Sequence, residues 1–266
     1  MGHTRLGPIP TSRKWREVVA AVTGGTGGGA GVATDDVGHI AQRTLVAAEG
    51  GLGVAVRDEG LRYTFYLLTQ VVLAARSPDW QTQLGTIGIA VPANGGVVDF
   101  AAALQNAVDD YIYVHGGATD ISEMAQAAAG EAILSLAGPS SETLFGGGRE
   151  ELRQALRDLS TKNGFAVLGQ RFFGGFMARF LNFYLSRITA GAVGSDRLAQ
   201  VGDLSSFNNA LRLHCHQSAQ IVHAFCGQWY SKTEFQEGID PKNTARFMAV
   251  AIKKLRAELA QQGATP

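Results

Sequence analysis

The sequence predicts an all-α protein, a multi-helix globular bundle, and three observations carry that prediction. Apolar residues recur at i, i+3, i+4 and i+7 in one segment after another. Helix start and stop signals bracket several of these segments. Runs that could pair as short strands are confined to 51–57 and 84–91, where Val and Ile stand among glycines.

The first twelve residues carry Pro8 and Pro10 and read as an extended arm, after which Thr11 and Ser12 can cap a short amphipathic helix containing Lys14, Trp15, Val18 and Val19. Gly24 to Gly31 form a glycine-dense loop, and Thr34 or Asp35 can cap the next helix, whose stripe is Val37, Ile40, Ala41, Thr44, Leu45 and Ala48. Leu61, Phe65, Leu68, Val72 and Ala75 mark another helix. Ala101, Leu104, Val108, Tyr111 and Ile112 mark the next, followed by Ile121, Ala125, Ala128 and Ala132. The segment 138–148, with Pro139 and three terminal glycines, interrupts the pattern and divides the chain into an N-terminal arm, helix and loop (1–33), an acidic helical region (34–138) and a basic, aromatic helical region (149–266). The two larger regions are two helical subdomains or share one core. Beyond the break, Leu152, Leu156 and Leu159 define a helix, and Phe207, Leu211, His214, Ile221 and Phe225 a later one. The last helix has the fullest signature: Asp240 as N-cap, Pro241 in the first helical position, Phe247, Ala251, Leu255 and Leu259 on one face, and Gly263 past its end.

Composition excludes several function classes. With 45% hydrophobic residues the chain is not disordered, and with 23 basic side chains against 23 acidic ones it lacks the positive excess of a nucleic-acid binder. No signal-peptide pattern and no run of 18 apolar residues occurs, so a cytoplasmic, bacterial protein is expected, with its two cysteines reduced. Glycine is over-represented, 34 of 266 residues. Gly25, Gly27 and Ala30 can be aligned to a dinucleotide-binding loop, but the helices that follow are not the alternating strands and helices such a domain needs, and the loop reads as a linker. No Gly-Lys pair exists, so a Walker loop is absent, and no cofactor is expected.

His214, Cys215, His216, His223 and Cys226 crowd into 13 residues. On a continuous helix His216 and His223 lie about 10.5 Å apart along the axis, too far to share a zinc, which leaves only His223 and Cys226, at i and i+3, as metal-ligand or thiol-enzyme candidates. No Gly-x-Ser-x-Gly elbow is present and no catalytic residue is assigned.

Two further features point to association. Residues 164–188 hold Phe165, Phe172, Phe173, Phe176, Phe180, Phe183 and Tyr184 with only Arg171, Arg179 and Arg187 as charges. Such a stretch reads as a core helix, a subunit interface or a membrane-inserting segment, the last opposed by its arginines. Charge is also segregated: no Lys or Arg occurs from 77 to 148, while 149–190 carries seven. The resulting expectation is a non-enzymatic protein that forms a homo-oligomer or docks on a protein partner in a larger assembly. Phe172, Phe173, Phe176 and Phe180 are its apolar anchors, and Arg149, Arg153 and Arg157 pair with Asp109, Asp110 and Glu123. Alternatives are a metal- or thiol-dependent enzyme around His223 and Cys226, and a membrane-active effector, for example in antiphage defence, that inserts 164–188. No nucleic-acid partner is expected.

Overall fold

The computed structural model describes residues 11–24, 34–92, 95–141, 148–195 and 198–262. The arm up to residue 10, the loop from Gly25 to Gly31, the glycines at 146–147 and Gly263 lie outside the described residues. Twelve helices and no strand occur among those described: α1 Arg13–Thr23, α2 Thr34–Ala47, α3 Glu49–Ala55, α4 Glu59–Ala74, α5 Trp80–Thr86, α6 Val97–His115, α7 Asp120–Ser141, α8 Arg149–Leu159, α9 Lys162–Gly191, α10 Val201–Ser218, α11 Gln220–Gln236 and α12 Pro241–Gln262.

The architecture is organised around α9, the 30-residue helix, about 45 Å long. Phe165, Leu168, Phe172, Phe173, Phe176, Met177, Phe180, Leu181 and Leu185 all have no exposed surface. A helix that is apolar around most of its circumference must be covered on most sides. Here α7, α10 and α11 provide the principal cover, with α8, α2 and α1 adding to it. The aromatic stretch 164–188 is therefore the interior of the molecule. One apolar cluster runs from Trp15 to Leu259 and draws on residues before and after the 138–148 segment alike.

Two glycines let helices close on α9. A Cβ built at Gly174 would come within 2.6 Å of His216 Nδ1 and 3.0 Å of its Cα, and one at Gly169 within 2.5 Å of Cys226 Sγ. Hydrogen at these positions sets how near α10 and α11 approach. From the other side Phe65 of α4 touches five rings, with centroids 5.9 Å from Phe165, 5.2 Å from Phe172, 5.0 Å from Phe173, 6.2 Å from Trp229 and 5.7 Å from Phe247. Four helices, α4, α9, α11 and α12, meet in that cluster.

The stripe of α2 is buried as its periodicity requires, with Val37, Ile40, Ala41, Thr44, Leu45 and Ala48 each at most 3% exposed. The α12 cap forms a reciprocal pair, the Asn243 backbone N–H donating to Asp240 Oδ1 at 2.7 Å and the Asp240 N–H to Asn243 Oδ1 at 3.1 Å. Asp58 Oδ1 caps α4 by accepting from the Leu61 N–H at 2.8 Å.

The two runs that could have paired as strands do not, and two helix boundaries are corrected. Residues 51–57 are mostly helix, because α3 places Leu52 and Ala55 on the core and leaves Val54 56% exposed. Residues 84–91 hold the end of α5 and its exit: Gly88 takes φ +81°, the Ile89 N–H donates to the Leu84 carbonyl at 3.0 Å, and both apolar side chains are buried. The helix expected through 207–225 is two helices that break at Ala219. No Gly or Pro marks the break; Ser218 Oγ there donates to the His214 carbonyl at 2.9 Å and lies 2.6 Å from Gln262 Oε1. The helix before the glycine-rich break also runs to Ser141, three residues past Gly138.

Phe173→Ala is expected to cost about 3–5 kcal/mol and Gly174→Ala about 1–3 kcal/mol, whereas Arg157→Ala, fully on the surface, stays within about 0.5 kcal/mol. Denaturant unfolding monitored by circular dichroism checks all three.

Candidate functional site

The histidine and cysteine residues singled out in the sequence do not form a reactive centre. Cys215 and Cys226 are both fully buried, and burial pushes both thiols well up. Cys226 Sγ lies 3.9 Å from the Phe165 carbonyl oxygen, so it packs as a small apolar group in the α9–α11 contact and not as a thiolate. His223 is half-buried on the same helix. No group of three or more His, Cys, Asp or Glu placed to hold a metal occurs among the described residues. The stretch 164–188 cannot insert into a bilayer without taking the core apart, and no helix among the described residues is long and apolar enough to cross a membrane.

The expected interface set is also redistributed. Phe172, Phe173, Phe176 and Phe180 are buried inside one chain because α9 is wrapped on most sides, and they present nothing to a partner. Arg149 donates to the Val91 and Pro92 carbonyls, both at 3.0 Å, and to Gln81 Oε1 at 3.1 Å. Arg153 donates to the carbonyls of Ala75 at 3.3 Å and Ser77 at 3.2 Å and pairs with Glu150 at 3.2 Å. These two guanidiniums satisfy backbone carbonyls at the ends of α4 and of the segment after α5, a structural use of their charge. Asp109 accepts from Gln126 Nε2 at 2.9 Å. Arg149 and Arg153 thus spend their donors on these carbonyls, on Gln81 and on Glu150, and Arg157 and Asp110 are exposed.

A different set of residues converges on a groove of about 600 Å³ between α4, α6 and α12. Glu59, Arg62, Tyr63 and Tyr66 project from one face of α4, since positions i, i+3, i+4 and i+7 align on a helix. Tyr111 comes from the last turns of α6. Lys242, Ala245, Arg246 and Ala249 form the opposite wall on α12, again at spacings of three and four. Three of the chain's six tyrosines thus share one groove.

The rings are ordered against each other. Tyr63 and Tyr111 stack with centroids 3.6 Å apart and planes at 8°, His115 stacks on Tyr111 at 4.0 Å, and Tyr66 lies tilted 6.2 Å from Tyr63. Burial raises the hydroxyl pKa of all three tyrosines; the neighbouring tyrosines add to this at Tyr63, Asp240 at Tyr66 and Glu59 at Tyr111. At neutral pH they remain protonated and can donate hydrogen bonds. Arg62 is anchored by its Nε donating to the Val56 carbonyl at 2.9 Å. Lys242 and Arg246 are exposed, i and i+4 on α12, and make no ion pair among the described residues. The wall carries three cations and one carboxylate, with Asp240 close enough to act on Tyr66. The groove's volume falls in the usual range for binding clefts, with aromatic area for contact and a few charges for orientation.

The groove was missed in the sequence because its two walls lie some 180 positions apart. The signals present were local: Arg62 between tyrosine-bearing turns, and Lys242 with Arg246 on the first turns of a well-capped helix.

Thiol-specific reagents are expected to leave both Cys215 and Cys226 unmodified in the native protein and to modify both after denaturation. Fast native labelling of Cys226 would reinstate a reactive thiol. Because the three tyrosine pKa values are raised in the folded state, the stability they contribute is fully present below the ordinary tyrosine value of about 10 and is lost as pH rises above it. Ultraviolet titration combined with unfolding at alkaline pH measures this, and Tyr63→Phe with Tyr111→Phe flattens the decline. Compared with known protein families, curated proteins and solved structures, the chain matches none.

Proposed function

We propose that the protein is a non-enzymatic assembly subunit whose tyrosine groove receives the acidic outer face of α6 from a second copy of the same chain. The observation that carries this reading is charge complementarity. The groove presents Arg62, Lys242 and Arg246, while α6 and α7 contain no Lys or Arg at all. On α6, Asp109 and Asp110 are exposed, and close to them Tyr113 is 66% and Val114 74% exposed. An exposed helix bearing acids and large apolar side chains fits a groove of tyrosines and cations as a helix-in-groove contact. Tyrosine and arginine are also the residue types in which binding energy concentrates at protein interfaces.

The contact does not close on itself. Tyr111 faces the groove, and Asp109 and Tyr113, two positions to either side, are turned about 160° from it around the helix, so one copy can offer its groove and the Asp109–Tyr113 side of α6 at the same time. A contact between two different surfaces is heterologous and builds rings or filaments.

Light scattering after size exclusion is expected to show a mass that grows with protein concentration at low salt and falls toward the monomer at about 0.5 M salt, where charges are screened within a few ångströms. Lys242→Glu with Arg246→Glu, and separately Asp109→Lys with Asp110→Lys, each weaken association about tenfold or more. Mixing the two variants restores it, because each then meets a complementary surface on the other. A wild-type protein that stays monomeric at every concentration in low salt overturns the proposal, as do charge reversals that leave the mass unchanged.

A further inference from the structure

A second cavity, of about 230 Å³, lies between α7, α9 and α10, on a different part of the molecule from the tyrosine groove. Its polar lining is Glu131 and Ser135 from α7, Arg171 from α9, and Asn209, Arg212 and His216 from α10. Glu131 is already committed: its carboxylate pairs with Arg179 at 2.7 Å and with Arg212 at 3.3 Å. Burial acts against its ionisation, but the two guanidiniums outweigh it and hold the carboxyl below its ordinary range. Two guanidiniums therefore hold one carboxylate, and a third, Arg171, lines the same cavity and makes no ion pair among the described residues.

His216 is the other unsatisfied group. Its Nδ1 is buried against Gly174 and has no hydrogen-bond partner among the described residues. The imidazole pKa is lowered, first by burial and then by Arg171, with Arg212 and Arg179 acting the same way and Glu131 opposing them. A cavity of this size is below the roughly 300–1,000 Å³ that drug-sized ligands occupy. What it can hold is small, and what its charges call for is negative.

We propose that this cavity is a binding site for a small phosphate-type oxyanion, either free phosphate or the phosphoryl group of a small phosphomonoester, held by Arg171 and Arg212 with His216 and Asn209 completing the donor set. Guanidinium forks match a tetrahedral oxyanion with paired hydrogen bonds, and His216 and Asn209 can each donate one more, while the Ser135 hydroxyl is already donated to the Ala132 carbonyl at 3.0 Å. Bound anion offsets the guanidiniums that add to burial in lowering the histidine pKa, so occupancy of the site is read at His216.

Titration calorimetry with inorganic phosphate at constant ionic strength, with acetate as the control anion, tests the proposal, alongside nuclear magnetic resonance titration of His216. Saturable one-site binding of phosphate with no matching binding of acetate is expected, and the His216 pKa rises at saturation. Arg171→Ala weakens binding about tenfold or more, the worth of one charge-assisted hydrogen bond, with the melting temperature unchanged because that side chain holds no ion pair. Lys242→Glu with Arg246→Glu leaves it unaffected. Repeating the titration with a glycerol phosphate separates the sources: tighter binding than phosphate assigns a phosphomonoester, equal or weaker binding assigns the free ion. Absence of saturation, unchanged affinity in Arg171→Ala, or loss of binding in the groove variant overturns the assignment.

Discussion

The constraint on which the rest of the structure depends is that α9 has almost no face to leave in water. Thirty residues with a phenylalanine or leucine at nearly every turn and glycines at the crossing points can exist only inside a sheath of other helices. The stripes of α7, α10 and α11 are that sheath, and α4 and α12 close it through the Phe65 cluster. Interior density follows from the same requirement, because a glycine that admits His216 or Cys226 leaves no slack for a methyl group.

How much of this was legible in the sequence depends on the distance over which the information is held. The stripe of α2 and the Asp240–Pro241 start of α12 are complete within one or two turns, and both are found where the pattern places them. The core role of 164–188 was one of three readings, and what decides among them is how many apolar stripes elsewhere need a partner. The break at Ala219 was hidden because its segment has no glycine or proline to mark it, only a serine whose hydroxyl bonds back to the His214 carbonyl. Neither cavity was legible, since Tyr63 and Arg246, or Glu131 and Arg212, become neighbours only after the helices pack.

The arginines show why charge counted along a chain is a poor guide to surfaces. Arg149 and Arg153 look like a basic patch in sequence, yet their donors are used on backbone carbonyls. Arg76 is similarly employed, reaching the Ser160 carbonyl, Tyr230 and Glu234 at once and tying the end of α4 to the end of α8 and to α11. A zero net charge is thus compatible with uneven fields: the cations tied to backbone carbonyls are removed from the surface balance, and Arg62, Lys242 and Arg246 stand together beside the tyrosines.

The position of α12 has a consequence in time. It packs on α2 and α4, whose residues precede it by about 200 positions, and it buries Leu255 and Leu259. A ribosome adding about 5–20 residues per second therefore takes roughly 10–40 s between releasing α2 and releasing its last partner. Throughout that interval the apolar faces of α2 and α4 lack one of their covers. The nascent chain, more than the finished protein, is the form of this molecule most exposed to wrong partners, and the final turns of α12 end that exposure.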